Sequence, residues 1–167
     1  MSGFWITGLP RSRTAWWAVV MNALHEPAAM TPNLATWATH LDRGISDSAV
    51  GLHIEKIMRD YAPRTLIVER PLGDVLASAE RFLGQTGPDV LHVLYRLSAA
   101  LKFEHPLIRR ITWDEMDDPV KLFDAAEWLL PGFGPRALSM KAFNITVTKE
   151  HAMAQWARPH SGWHMEA

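Results

Sequence analysis

The sequence predicts an α/β domain of three layers, with a mostly parallel central sheet between two layers of helices. Three observations point there. Arg64-Thr65-Leu66-Ile67-Val68-Glu69 is a β-branched apolar run of the kind buried on both faces of a parallel sheet. Strand-like and helix-like segments alternate along the chain, punctuated by Pro63, Gly87-Pro88 and Pro131-Gly132. Residues 4–17 read as a strand, a tight loop rich in hydrogen-bond donors, and the first turn of a helix.

Taken in order, a short apolar strand is expected over 3–7 and a helix over 14–24, apolar nearly all round and therefore buried. Residues 25–43 make a polar connection with a helical segment near 34–41. A short second strand follows at 44–46, then an amphipathic helix over 49–61 that Pro63 ends. After the strand 64–69, Pro71 takes its favoured place at the first position of a helix. Leu72, Val75, Leu76, Ala79, Phe82 and Leu83 share one face of that helix, and Gly84 and Gly87-Pro88 close it. A helix over 89–104, a strand over 107–112 and a helix over 119–130 complete the alternation. Beyond Pro135 the pattern weakens, with some strand character at 144–148 and a tryptophan-rich end. The expectation is one domain over 1–167, with its core over about 3–132 and an extension, 133–167, covering the sheet or the pocket.

Composition removes several function classes. With no cysteine, disulfides, thiolate metal sites and cysteine nucleophiles are excluded. A net charge of −1 argues against a general polyanion binder, so any basic site is local and no nucleic-acid partner is expected. No apolar stretch is long enough to span a bilayer, and the N-terminus has no leader-like pattern, so a cytoplasmic protein without a membrane partner is expected.

The chemistry is concentrated in Gly8-Leu9-Pro10-Arg11-Ser12-Arg13-Thr14-Ala15-Trp16. A strand–loop–helix order aims free backbone N–H groups and the positive helix end at one point, where an anion is stabilised. Two arginines, a serine and a threonine crowd that turn, and no acidic residue occurs in the first 25 positions. The triphosphate signature G-x-x-x-x-G-K-[ST] is not satisfied. Counting from Gly8, its second glycine falls on Arg13, its lysine on Thr14 and its magnesium-binding hydroxyl on Ala15. What remains is a phosphate cradle suited to a donor whose transfer needs no metal.

The segment Pro10-Arg11-Ser12-Arg13-Thr14-Ala15-Trp16 resembles the 5′-phosphosulfate loop of sulfotransferases, P-[KR]-S-G-T-[TS]-[WL]. Glu69-Arg70-Pro71-Leu72-Gly73-Asp74-Val75-Leu76-Ala77-Ser78 resembles the family's second motif, an arginine at a strand end with a serine eight residues on. Arg110 to Pro119 resembles the segment Y-E-D-L…D-P after the next core strand. The resemblance implies a P-loop-like nucleotide-binding fold and the donor 3′-phosphoadenylyl sulfate (PAPS), with adenosine 3′,5′-bisphosphate (PAP) as product. Pro10 to Trp16 would then hold the 5′-phosphosulfate, and Arg70 with Ser78 the 3′-phosphate. The chain departs from the family at Arg13, which replaces the loop glycine, at Ala15, which lacks a hydroxyl, and in 136–167, which has no R-K-G-x-x-G-D-W-K counterpart. Its shortness leaves an acceptor pocket that is small, open or completed by a second subunit, so a homo-oligomer is one expected state.

Sulfuryl transfer needs a base for the acceptor and cations for charge growing on the bridging oxygen. Arg11 is the candidate cation, helped by Ser12 and Thr14. For the base the resemblance favours Glu26, which follows the first helix as a catalytic glutamate does in some members. His25 beside it, Asp47 at the end of the expected second strand, and His40, whose Thr39-His40-Leu41 resembles the family's T-H-L-P except for Asp42, follow in that order. Plainer readings stand beside these. Arg70 can pair with Glu69 or Asp74, His25 can end the helix, Asp47 and Ser48 can cap the second helix, and Trp5, Trp16 and Trp17 can be core. His160 and His164 have metal-ligand spacing but no third ligand, so no metal is expected. Two other functions share the cradle: a P-loop kinase-like phosphotransferase on a nucleoside or small molecule, and a nucleotide-binding protein without catalysis. The acceptor's identity is not legible.

Overall fold

The computed structural model describes residues 3–29, 33–83 and 87–142. It has five strands, β1 (Phe4–Gly8), β2 (Leu24–His25), β3 (Ile45–Ser46), β4 (Arg64–Glu69) and β5 (Ile108–Thr112), in the order β2-β3-β1-β4-β5. Every pairing is parallel, and β1 and β4 run in full register from Phe4 opposite Arg64 to Gly8 opposite Val68. Among the described residues the helices are α1 (Thr14–Met21), α2 (Leu34–Ala38), α3 (Ile54–Asp60), α4 (Leu72–Leu83), α5 (Pro88–Ala100), α6 (Pro119–Leu129) and α7 (Gly134–Ala142).

Alternation along the strands sorts side chains onto two faces. Phe4, Ile6, Leu66, Val68 and Ile111 pack with α1, α6 and α7, while Trp5, Ile45 and Ile67 pack with α2, α3 and α5. Helices therefore cover both faces of an all-parallel sheet, as buried strands require. Right-handed crossovers explain the division. The connection running outward from β1 to β2 lies on the first face. Those running the opposite way, β2 to β3, β3 to β4 and β4 to β5, lie on the second.

The chain therefore leaves β1 and β4, which are neighbours, toward opposite faces. This opens a crevice at their C-terminal ends, the place where open parallel sheets bind ligands. Gly8 lets the two ends close in: a Cβ there would lie 2.5 Å from the Val68 carbonyl oxygen.

Several boundaries differ from the sequence reading. α1 stops at Met21 because Asn22 enters the left-handed region (φ 54°) and its N–H caps the Ala18 and Val19 carbonyls. Leu24–His25 then pairs with β3 as an edge strand, where the sequence suggested a helix end and a polar connection. The stretch 49–53 is a 3₁₀ turn leading into α3, with Gly51 packed beneath α5 so that a Cβ would meet Leu97 at 2.6 Å. α4 carries the first part of the expected stripe, with Val75 and Ala79 buried and Leu72 and Leu76 packed against the core; the side chains of Phe82 and Leu83 lie outside what is described. α7 also emerges. Its Ala137 and Met140 lie in the cluster that contains Trp16, Trp17 and Val20, which explains why α1 is apolar on more than one side. The strand character at 144–148 and the tail with Trp156, His160, Trp163 and His164 lie outside the described residues.

Candidate functional site

All five strands end at the same edge, and the candidate residues sit there. The loop Leu9–Arg13 follows β1, Glu26 follows β2, Asp47 follows β3, Arg70 follows β4 and Trp113 follows β5. The loop is unusual in its backbone. Arg11 (φ 69°) and Arg13 (φ 59°) are both left-handed, on either side of Ser12, whose N–H closes a turn onto the Leu9 carbonyl at 3.1 Å. A non-glycine residue in that region costs about 1–2 kcal/mol, so surrounding contacts must hold each one.

Those contacts are present. Arg70 Nη1 donates to the Arg11 carbonyl at 2.6 Å, joining residues 59 apart. Arg11 Nε lies 3.5 Å from Ser78 Oγ on α4. Arg13 stacks over the Trp113 ring at 4.1 Å from its centroid and lies 3.9 Å from an Asp117 carboxylate oxygen. Arg70 stacks over the same ring at 4.3 Å. The loop, Arg70 and Ser78, three separate pieces of sequence, thus meet. Arg13 is tethered in the very conformation a loop glycine would adopt.

The start of α1 is open. Arg13 is the N-cap and makes no side-chain cap, no acidic residue occupies the first turn, and the first helical bond runs from Trp17 N–H to Arg13 O at 3.1 Å. The N–H groups of Thr14, Ala15 and Trp16 precede that bond and have no intrahelical acceptor. Ser12 is fully buried (0% exposed), and its Oγ has no partner among the described residues. Thr14 is fixed from below, its carbonyl accepting Ser46 Oγ at 2.7 Å. Pro10 is exposed and Ala15 half-buried. Trp16 is buried in the core, edge-to-face on Trp17 with centroids 5.4 Å apart, so it supports the loop from beneath.

Positive charge accumulates around this opening. Burial lowers the Arg70 pKa, Asp74 opposes that shift, and Arg11, Arg81 and Arg13 push it further down. Glu69 does not neutralise Arg70; it bonds Arg110 at 2.9 Å instead. Beside Arg70, a cavity of about 150 Å³ is lined by Leu9, Glu69, Arg70, Ser98, Lys102 and Arg110.

At the other end of the edge the charge is negative and enclosed. Asp47 is 0% exposed. Its Oδ2 accepts Ala28 N–H at 2.8 Å and Trp37 Nε1 at 3.3 Å, while Oδ1 accepts Ala49 N–H at 2.8 Å. Its carbonyl accepts Trp5 Nε1 at 3.0 Å, and Trp5 and Trp37 meet edge-to-face at 5.6 Å. Burial nevertheless raises its pKa, against the pull of those donors. The carboxylate caps the 3₁₀ turn at Ala49 and ties α2 to the sheet.

Glu26 is left-handed (φ 48°) and held by its N–H on the Ser46 carbonyl at 2.8 Å. Burial first, and the Asp47 charge second, raise its pKa. Two strand spacings separate β2 from β1, about 10 Å, with β3 between them. His25 is half-buried with both ring nitrogens shielded from solvent, and desolvation lowers its pKa to about 4.

His40 is elsewhere. It precedes Leu41, whose carbonyl abuts Gly3 just before β1, about 17 Å along the strand from Gly8 where the loop begins. Trp113 was not singled out by sequence; the available signal was an aromatic residue immediately after a strand. Among the described residues no cluster of three or more His, Asp or Glu is arranged to hold a metal, and no helix is long and apolar enough to cross a membrane. Comparison with known protein-family models, curated proteins and solved structures finds no match.

Proposed function

We propose that this chain is a sulfotransferase-like enzyme of P-loop type that moves a sulfuryl group from PAPS to a hydroxyl or amine, working in the cytoplasm on a small acceptor. The observation that carries the reading is the meeting of Arg70 and Ser78 with an uncapped, arginine-rich loop at one helix start. That arrangement offers two places for anionic groups. The α1 N-terminus, with Arg11, Ser12 and Thr14, suits the 5′-phosphosulfate; Arg70 and Ser78 suit the 3′-phosphate. The orphaned Ser12 hydroxyl, and Arg11, Arg13 and Arg81 set around Arg70 with Asp74 only partly opposing them, favour an anion here.

In this reading PAPS supplies an activated sulfuryl group, and the chain's own residues do the rest. As the acceptor oxygen or nitrogen bonds to sulfur, its proton passes to Glu26. The bond from sulfur to the bridging phosphate oxygen breaks, and Arg11 with the α1 N–H groups stabilises the charge left on PAP. The raised Glu26 pKa brings this carboxylate nearer to the range useful in a general base. Asp47, already saturated with donors, supports Glu26 instead of sharing its role.

Titration calorimetry with PAP, PAPS and ATP, with and without magnesium, tests this. PAP binding without magnesium is the expected result. Magnesium-dependent ATP binding in place of PAP would identify a phosphotransferase. PAP binding without release of PAP from PAPS in the presence of hydroxyl and amine acceptors would leave a binding protein.

A further inference from the structure

We infer that Trp113 is a positioning residue: its indole holds Arg13 and Arg70 apart as a two-armed clamp that favours ligands carrying two anionic groups over ligands carrying one. The inference rests on the function proposed above and adds a residue and a selectivity to it.

Arg13 and Arg70 come from different strand ends, yet their guanidinium carbons lie 4.1 and 4.3 Å from the centroid of one ring. Two cations in one crevice repel each other, Arg11 and Arg81 add to that repulsion, and Asp74 offsets part of it at Arg70. Carboxylates would offset the repulsion but would also compete with an incoming anion. Asp117 takes only a weak share of Arg13, at 3.9 Å, and it also pairs with Lys141. The ring quadrupole attracts both cations without neutralising either, so each keeps its full charge for a ligand.

The strand end that carries the ring is fixed: the Trp113 main-chain N–H donates to the Glu69 carbonyl at 2.8 Å, extending the β4–β5 ladder by one residue. Arg13 stands at the helix start and Arg70 follows β4, so the ring stacked on both sets the spacing between the two anion places. Losing it frees both arms. A single phosphate at α1 needs only one arm, so it is little affected. A bisphosphate needs both.

The test compares wild type, Trp113→Phe and Trp113→Leu by calorimetry with PAP and with 5′-AMP, alongside thermal unfolding. Two exposed cation–π contacts of about 0.5–1 kcal/mol each predict about tenfold weaker PAP binding for W113L. W113F should fall between it and wild type, and 5′-AMP should change by less than about threefold. The two variants should unfold at similar temperatures, so that their difference in PAP affinity reports the ring and not the fold. Equal PAP losses for W113F and W113L, equal losses for PAP and 5′-AMP, or an unchanged W113L would each overturn the clamp while leaving the donor site standing. A wild-type chain that binds neither nucleotide would overturn both.

Discussion

Around the loop after β1 and Arg70 after β4 the charge is positive and open to the crevice, with the acidic turn 114–118 after β5 at its margin; around the ends of β2 and β3 it is negative and more enclosed. The means of support differ too. Arg70 and Arg13 are held by a backbone carbonyl and an aromatic ring, which leave most of their donors for something else. Asp47 is held by two backbone N–H groups and an indole, which occupy it. One half is thus arranged to meet an anion from outside. The other is arranged to keep its geometry while Glu26 sits beside it with a raised pKa.

The largest effect that separates the halves belongs to Glu26. Glu26→Gln should lower sulfuryl-transfer turnover by about 10²-fold or more, the ordinary scale of general-base catalysis, with PAP affinity nearly unchanged. Single-turnover rates beside calorimetry check this, and an unaltered rate removes Glu26 as the base. Asp47→Ala comes next and should act on stability. It strips acceptors from Ala28 N–H, Ala49 N–H and Trp37 Nε1, at a cost of about 3 kcal/mol or more. Denaturant unfolding that showed a loss below about 1 kcal/mol would contradict the bracing role.

A smaller effect concerns His25. The folded chain keeps it neutral down to about pH 4, whereas an unfolded histidine takes up its proton near 6.5. Between those values the unfolded state binds more protons. Its contribution to stability is therefore intact above about pH 6.5 and falls as pH drops toward 4, by on the order of 2–3 kcal/mol. Glu26 and Asp47 act in the opposite sense, because their raised pKa values let the folded state take up protons first. Comparing wild type with His25→Asn across pH 7 to 4.5 isolates the histidine. The imidazole resonances should titrate near 4, and titration near 6.5 would show that it is not enclosed.

How far the sequence carried this account depends on the kind of signal each part needed. β4 was legible because a buried parallel strand advertises itself as a continuous β-branched run, and α4 because its stripe has helical spacing. β2 was not, since two residues carry no periodicity and only pairing with β3 makes them a strand. α7 was missed because its burial depends on α1 lying beneath it. In the site, spacing alone linked Arg70 to Ser78, and the loop composition announced an anion. The left-handed Arg11 and Arg13 were hidden, because nothing local favours that conformation in arginine; the tethers come from Arg70 and Trp113, far along the chain. His40 shows the reverse failure. A short matching motif suggested chemistry, and the topology put it at the wrong end of β1.

The central claim is that the positive half of the edge holds a nucleotide with phosphates at both ends, and Arg70→Ala tests it most directly. Calorimetry on wild type and variant should show PAP weakened by about ten- to a hundredfold, the worth of one or two lost hydrogen bonds to a charged group, and 5′-AMP changed little. Equal weakening of PAP and 5′-AMP would contradict the assignment of Arg70 to the 3′-phosphate, and with it the two-anion reading of the crevice.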